Sequence, residues 1–388
     1  MKKLKVFLLV LLLTLNLLIS SSCWNYKEIE DIAIVAGIAV DYEEDTDSII
    51  VTSEILYPSA SGAEIKVLSR MITDKGENFF DTIRNTVSKS GMKLFWGHAK
   101  VIILSESLVK NKDELITIVD WFNRDPEPRH DIFLMISQDK SPSEILTSDI
   151  EAENITSFYI EDALLNESSV SKYRAITLWE FVTDLAEPGI SPTLPTIKTI
   201  EESNRLSDEI SGCGIFKDGV LVGYLNGIEA RNYLMIINKL KGGLITEREI
   251  INNEPIMISL EIFDNKTKVT PKYVDDKIVM SIDVSITVNI AEIGGEINFI
   301  DEKYRNILIK NTEKEIKNQL NGLITKVQQQ YKSDIFGFGK LISEKKPKLW
   351  NQLKDNWPEN FQDLNTEINV QVKVRGSAIR SKPITVGG

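Results

Sequence analysis

The stretch that constrains this chain most runs from Ile278 to Ile290. Ile278, Met280, Ile282, Val284, Ile286, Val288 and Ile290 share one parity, and Ser281, Asp283, Ser285, Thr287 and Asn289 share the other. Successive side chains of a strand point to opposite faces, so the pattern predicts one long strand with an apolar face and a wet face. An apolar face of that length needs a second layer over it. The next segment supplies one: Tyr304, Leu308, Ile316, Leu320, Leu323, Val327 and Tyr331 fall on one helical face among Lys, Glu, Asn and Gln. That spacing predicts a long amphipathic helix laid on the sheet. Ile368, Val370, Val372 and Val374 alternate again, as an edge or returning strand would.

Upstream, the residues predict strands at Ile32–Tyr42 and Ser48–Tyr57, the second ending at Pro58, with the acidic run Glu43 to Asp47 as a solvated turn between them. A helix near Phe79–Ser88, a strand at Leu94–Leu104, a helix at Asp113–Phe122 and a strand at Ile132–Ser137 follow, without a strict βαβ rhythm. Lys217-Asp218-Gly219, between Cys213–Phe216 and Val220–Tyr224, predicts a hairpin, because Asp-Gly supplies the positive φ of a tight turn. From Glu187 to Ser203 the prolines at 188, 192 and 195 and Gly189 resist regular structure, and the domain boundary is placed there. The fold expected is α+β: a multi-domain, mixed α/β ectodomain with largely antiparallel sheets and the long amphipathic helix in its C-terminal half. Its domains would be residues 23–200 and 201–388, the second with a further boundary near residue 262. With 42% apolar and 26% charged residues, that length reads as globular.

The N-terminus reads as an export signal. Lys2, Lys3 and Lys5 precede an apolar run from Val6 to Ile19, and Ser20-Ser21-Ser22 lead to Cys23. The order basic, apolar, small, cysteine predicts a cleaved lipoprotein signal peptide over residues 1–22 and acylation of the Cys23 thiol, although position minus three holds Ser20 where an aliphatic residue is usual. Ordinary cleavage leaving a free Cys23 is the alternative. Two or more acyl chains make a stable anchor. Cys213 is the one other cysteine, so an acylated Cys23 leaves no intramolecular disulfide, and the fold rests on its core. Removing the leader deletes three lysines and no acids, making the chain more acidic than its formal −12. That charge argues against nucleic acid and against a polybasic membrane contact.

Little in the chain looks catalytic. It has two histidines, His98 and His130, and lacks HExxH, GxSxG, GxGxxG and the phosphate-binding GxxxxGK[ST]. Ser90/Lys93, Ser169/Lys172 and Ser343/Lys346 match Ser-x-x-Lys without companion motifs and read as surface pairs. His98 has no second ligand spaced to meet it and reads as a structural imidazole bonded to backbone. The run Asp41–Asp47 reads as a hydrated turn rather than a cation site, and Trp350 and Trp357 as packing. No enzyme, cofactor or metal is expected. In Asp334-Ile335-Phe336-Gly337-Phe338-Gly339 two rings stand between glycines, which allow tight turning while presenting aromatic area. Phe336, Phe338, Trp350 and Trp357 are thus candidates for a partner interface, with burial of the rings against the sheet as the competing reading.

Several stretches together resemble a known family. Cys23-Trp24, Ile38-Ala39-Val40-Asp41, Gly97-His98-Ala99-Lys100-Val101-Ile102, Trp121 to Glu127 with Arg129, Gly214 to Lys217 with Leu221 to Leu225, and Asp334 to Gly339 followed by Trp350 and Trp357 are similar, in that order, to segments of the Ger(x)C lipoproteins. These are the C subunits of spore germinant receptors in endospore-forming Firmicutes; Asn25 replaces an acid of the family pattern. The resemblance implies a lipid-anchored, non-enzymatic subunit on the outer face of the spore inner membrane. It implies as partners an integral A subunit and a transporter-like B subunit that together detect small germinants, and it carries over no catalytic or ligand-binding residue. A solute-binding lipoprotein shares anchor and size but needs a two-lobed rhythm that is not seen here. A wall-active transferase rests on the Ser-x-x-Lys matches alone.

Overall fold

The computed structural model describes residues 2–19, 31–61, 64–139, 141–147, 155–202, 205–251, 254–274, 277–294 and 301–377. Two sheets organise it. The first holds β1 (Ile32–Glu43), β2 (Ser48–Ser61), β3 (Glu64–Gly76), β4 (Lys93–Phe95), β5 (Val101–Leu104), β6 (Phe133–Ser137), β7 (Thr193–Glu202), β8 (Arg205–Lys217) and β9 (Val220–Leu225). Their order is β3-β2-β1-β5-β6-β7-β8-β9, with β4 also paired to β1. The second sheet is β10 (Leu244–Ile251), β11 (Glu254–Val274), β12 (Lys277–Ile293) and β13 (Asn365–Ser377), in chain order. The α+β class holds: antiparallel pairs flank the first sheet on both sides, and the second is antiparallel except for its β12–β13 pair. The centre of the first sheet, β1-β5-β6-β7, is parallel.

Three local expectations are corrected. The strand expected over Leu94–Leu104 is two, β4 and β5, both pairing with β1. Between them the Lys100 N–H donates to Ala36 O at 2.7 Å and the chain turns at Gly97-His98. The break lets Trp96 turn inward, edge-on to Trp121 and Phe122. The proline-rich segment is regular from Thr193 onward, because Pro195 sits where the β7–β8 register slips and no ladder N–H is required of it. The first sheet therefore continues past residue 200 into β8 and β9, and a boundary near 262 would cut through β11. Pro58 does not end β2 either: it pairs with Val67 beyond the last β1 partner, Leu56, where β2 has no neighbour on its other side among the described residues.

The strand that opened the sequence reading is β12, with Met280, Ile282, Ile286 and Val288 fully buried. The helix Glu302–Lys326 covers it through Leu308, Ile316, Leu320 and Leu323. The chain then returns through short helices to lay β13 parallel to β12. At the end of that helix Tyr331 donates its hydroxyl to Tyr224 O at 2.9 Å. Its ring occupies the space a Cβ at Gly223 would need, so the edge strand β9 is covered.

One buried carboxylate locks the first sheet to its helical layer. Glu54 on β2 is fully buried and accepts from the backbone N–H of Thr156 and Ser157 at 3.0 and 2.8 Å, and from the hydroxyls of Ser157 and Ser69. It thereby satisfies the first donors of the helix Thr156–Leu165, whose N-cap, Ile155, has no side chain to do so. Gly37 of β1 makes room, since a Cβ there would lie 2.2 Å from the Ser157 hydroxyl. Glu54→Ala leaves the buried Thr156 and Ser157 N–H groups and the Ser157 hydroxyl without this acceptor, so thermal unfolding should show a loss of about 2–5 kcal/mol. A loss under about 1 kcal/mol would mean that water replaces the carboxylate.

Candidate functional site

The segment Asp334–Gly339 lies at the seam where the two sheets meet. The long helix finishes in a π turn, Val327–Tyr331, and Lys332 ends it in the left-handed region at φ 51°. Ser333 then donates its hydroxyl to Phe216 O of β8 at 2.6 Å. This delivers Asp334 into the interior, 4% exposed. Its carboxylate accepts from the N–H of Phe338 at 3.1 Å, the N–H of Gly339 at 2.8 Å and the indole N–H of Trp357 at 3.2 Å. The first two are free N-terminal donors of the helix Phe338–Lys345, whose N-cap, Gly337, has no side chain to satisfy them. Burial pushes the Asp334 carboxyl up to about 7, against the three donors, which favour its charged form.

The same loop joins the halves of the chain by backbone. Lys340 N–H donates to Gly189 O at 2.9 Å, and Ser191 N–H donates to Asp334 O at 2.8 Å. A Cβ at Gly189, which has φ 78°, would fall 2.6 Å from the Gly339 carbonyl carbon. One at Gly339 would fall 2.7 Å from Gly189 Cα and from the Trp357 ring. Only two facing glycines allow this approach. Beside it opens a cleft of about 550 Å³, with Lys112, Lys217, Lys332 and Lys354 on its walls and Trp350, Trp357 and Asp334 among its lining.

All four candidate interface rings are inside this node. Phe336 and Phe338 are 8% and 1% exposed, and Trp350 and Trp357 are each 7%. Phe336 stacks on Phe338 with centroids 5.1 Å apart, and Trp350 meets Trp357 edge-on at 5.3 Å. Packing against the core, not display to a partner, accounts for their burial. The glycines that read as exposing the rings serve instead the helix turn and the contact with Gly189. Cys23 lies outside the described residues. His98 is exposed beside Phe95 rather than anchored in the core. Among the described residues no three or more His, Cys, Asp or Glu gather as metal ligands. Sequence reasoning missed Gly189 and the buried role of Asp334; the signal was an acid four residues before a helix that has no side-chain cap.

Phe338→Ala should lower stability by about 3–5 kcal/mol, measured by denaturant unfolding. An unchanged midpoint would put that ring outside the core. The raised pKa sets a pH dependence as well. The folded state holds the Asp334 proton more tightly than the unfolded chain, whose carboxyl titrates near 4. The resulting stability is complete below about pH 4 and is lost as pH rises to about 7. Asp334→Asn should flatten that part of the stability profile; an unaltered slope between those limits would assign it to other groups.

Comparison with known proteins divides the chain between β7 and β8, within the first sheet. Residues 25–199 match the spore germination protein N-terminal domain, and residues 211–378 match the family described as spore germination B3/GerAC like, C-terminal. Spore germination protein KC of Bacillus subtilis (strain 168) is 22% identical, over 97% of this chain and 97% of its own length. Spore germination protein B3 of the same organism is 24% identical, over 92% and 94%. The crystal structure of the GerBC protein superposes with a TM-score of 0.56 at 20% identity, covering 88% of this chain and 97% of its own, and so shares the fold. With both halves matched in order, the chain belongs to the GerAC-like family of spore germination proteins and has a role in germination.

Proposed function

We propose that this chain is the lipid-anchored, non-enzymatic C subunit of a spore nutrient-germinant receptor. Acyl chains on Cys23 would hold it to the outer face of the spore inner membrane, beside an integral A subunit and a transporter-like B subunit. The observation that carries this reading is the coincidence of both family matches, in order, behind a basic, apolar, small-residue leader ending in Cys23. Among the described residues no helix is long and apolar enough to cross a membrane. The buried seam supports a scaffolding role, because Asp334, Gly189 and Gly339 tie the two sheets through main-chain contacts that suit a rigid body.

One observation favours a second reading, a solute-binding lipoprotein. The seam cleft is large enough for a small molecule, and the four lysines on its walls form no ion pair among those of the described residues. Calorimetric titration of residues 23–388 with candidate nutrients separates the two, since tight binding by the isolated chain would favour solute capture.

Cys23→Ala should move the protein from the membrane to the soluble fraction and impair germination of spores carrying only that variant. Retention on membranes after a high-salt wash would place the anchor elsewhere. Co-purification of A and B subunits with the wild-type chain from dormant spores is the matching positive test, and their consistent absence would count against the receptor assignment.

A further inference from the structure

The parallel centre of the first sheet defines two opposite edges. β1, β5 and β6 run in one direction, and Gly37, Val101 and Phe133 lie side by side in register. The residues that lead into these strands therefore share one edge. Ile32, where the chain enters β1, is there. So is His130, three residues before the start of β6 at Phe133.

Trp179 belongs to the same edge. Its backbone N–H donates to His130 O at 3.1 Å, and its ring stacks on the His130 imidazole at 6.2 Å and 14° between planes. Trp179 is 59% exposed although it lies in the first turn of the helix Leu178–Ala186, whose Leu178 and Phe181 are buried. Around it Lys93 opens β4, His98 and Lys100 precede β5, and Arg129 precedes β6. Lys93, Lys100 and Arg129 are each paired, with Glu127, Glu161 and Asp131. The opposite edge is the more acidic: Glu43 ends β1 and Glu44, Asp45 and Asp47 follow it, Glu106 follows β5, and Glu201 lies near the end of β7, with Lys75 paired to Glu43 and Lys110 to Glu106.

We propose that the edge where β1, β5 and β6 begin faces the phospholipid surface, with Trp179 and His130 seated in its headgroup layer. This rests on the reading that Cys23 carries the anchor. Cys23 precedes Asp31 by eight residues, which span no more than roughly 30 Å, so this edge is the one the anchor holds near the bilayer. An indole with an apolar body and a single N–H suits the boundary between headgroups and acyl chains. Anionic lipid repels the acidic edge and disfavours the inverted orientation.

The test uses residues 23–388, which include every core residue from Ala33 to Val372. Cys213 is buried, so the Cys23 thiol can be coupled selectively to a maleimide lipid in phosphatidylcholine–phosphatidylglycerol vesicles with brominated acyl chains. A Trp24→Phe background removes the indole of the tether. Bromine quenching of tryptophan fluorescence is expected in that background, and adding Trp179→Phe should abolish most of it. Thr46→Trp, placed on the acidic edge of the doubly substituted chain, should restore none. Absent quenching at the start, quenching that survives Trp179→Phe, or quenching at position 46 each overturns the proposed face. Because the thioether replaces acylation, none of these results bears on the anchor itself, whose failure would appear separately as membrane retention of Cys23→Ala.

Discussion

The Asp334 carboxylate is the constraint on which the joining of the two sheets depends. An uncapped helix start, an indole N–H and the return of the long helix all converge on one buried acid. Desolvation opposes its charge, and three donors oppose its protonation, so neither state is free of strain. A group so balanced keeps its place only while every donor stays in place. That makes the geometry of Phe338–Lys345, of Trp357 and of the Gly189 loop interdependent.

The backbone contact of Gly189 with Gly339 follows from the same demand. Asp334 must lie deep enough to reach Trp357, and its loop must then press against the segment feeding β7. A side chain on either glycine would lift the loop by more than the slack of a close-packed interior. The sheets are thus registered against each other by main chain, with the four aromatic rings filling the volume around the contact. Glu54 plays the corresponding part in the first sheet, where a carboxylate on β2 starts a helix far away in sequence.

For a germination protein of this family, the arrangement concentrates rigidity at the seam and leaves chemistry sparse elsewhere. The aromatic residues that looked available to a partner are buried at the seam, and the exposed Trp179 stands apart from them on the edge where the chain enters the sheet.

Much was legible from residues alone. The alternation of β12, the amphipathic stripe of Glu302–Lys326 and the Asp218-Gly219 hairpin turn are local signals, set by side-chain period and by φ, and they survive folding unchanged. So did the order of family motifs, which needs no coordinates. What stayed hidden depends on partners distant in sequence. β7 forms despite its prolines because β6 and β8 flank it and a bulge absorbs Pro195. The break between β4 and β5 is decided by Trp96 finding Trp121 and Phe122. The burial of Phe336 and Phe338 is decided by Gly189, which lies more than a hundred residues upstream of Gly339. A sequence states which faces are apolar and where the backbone can turn, whereas only the tertiary structure decides which apolar face meets which, because that choice is made by packing among segments the chain brings together from afar.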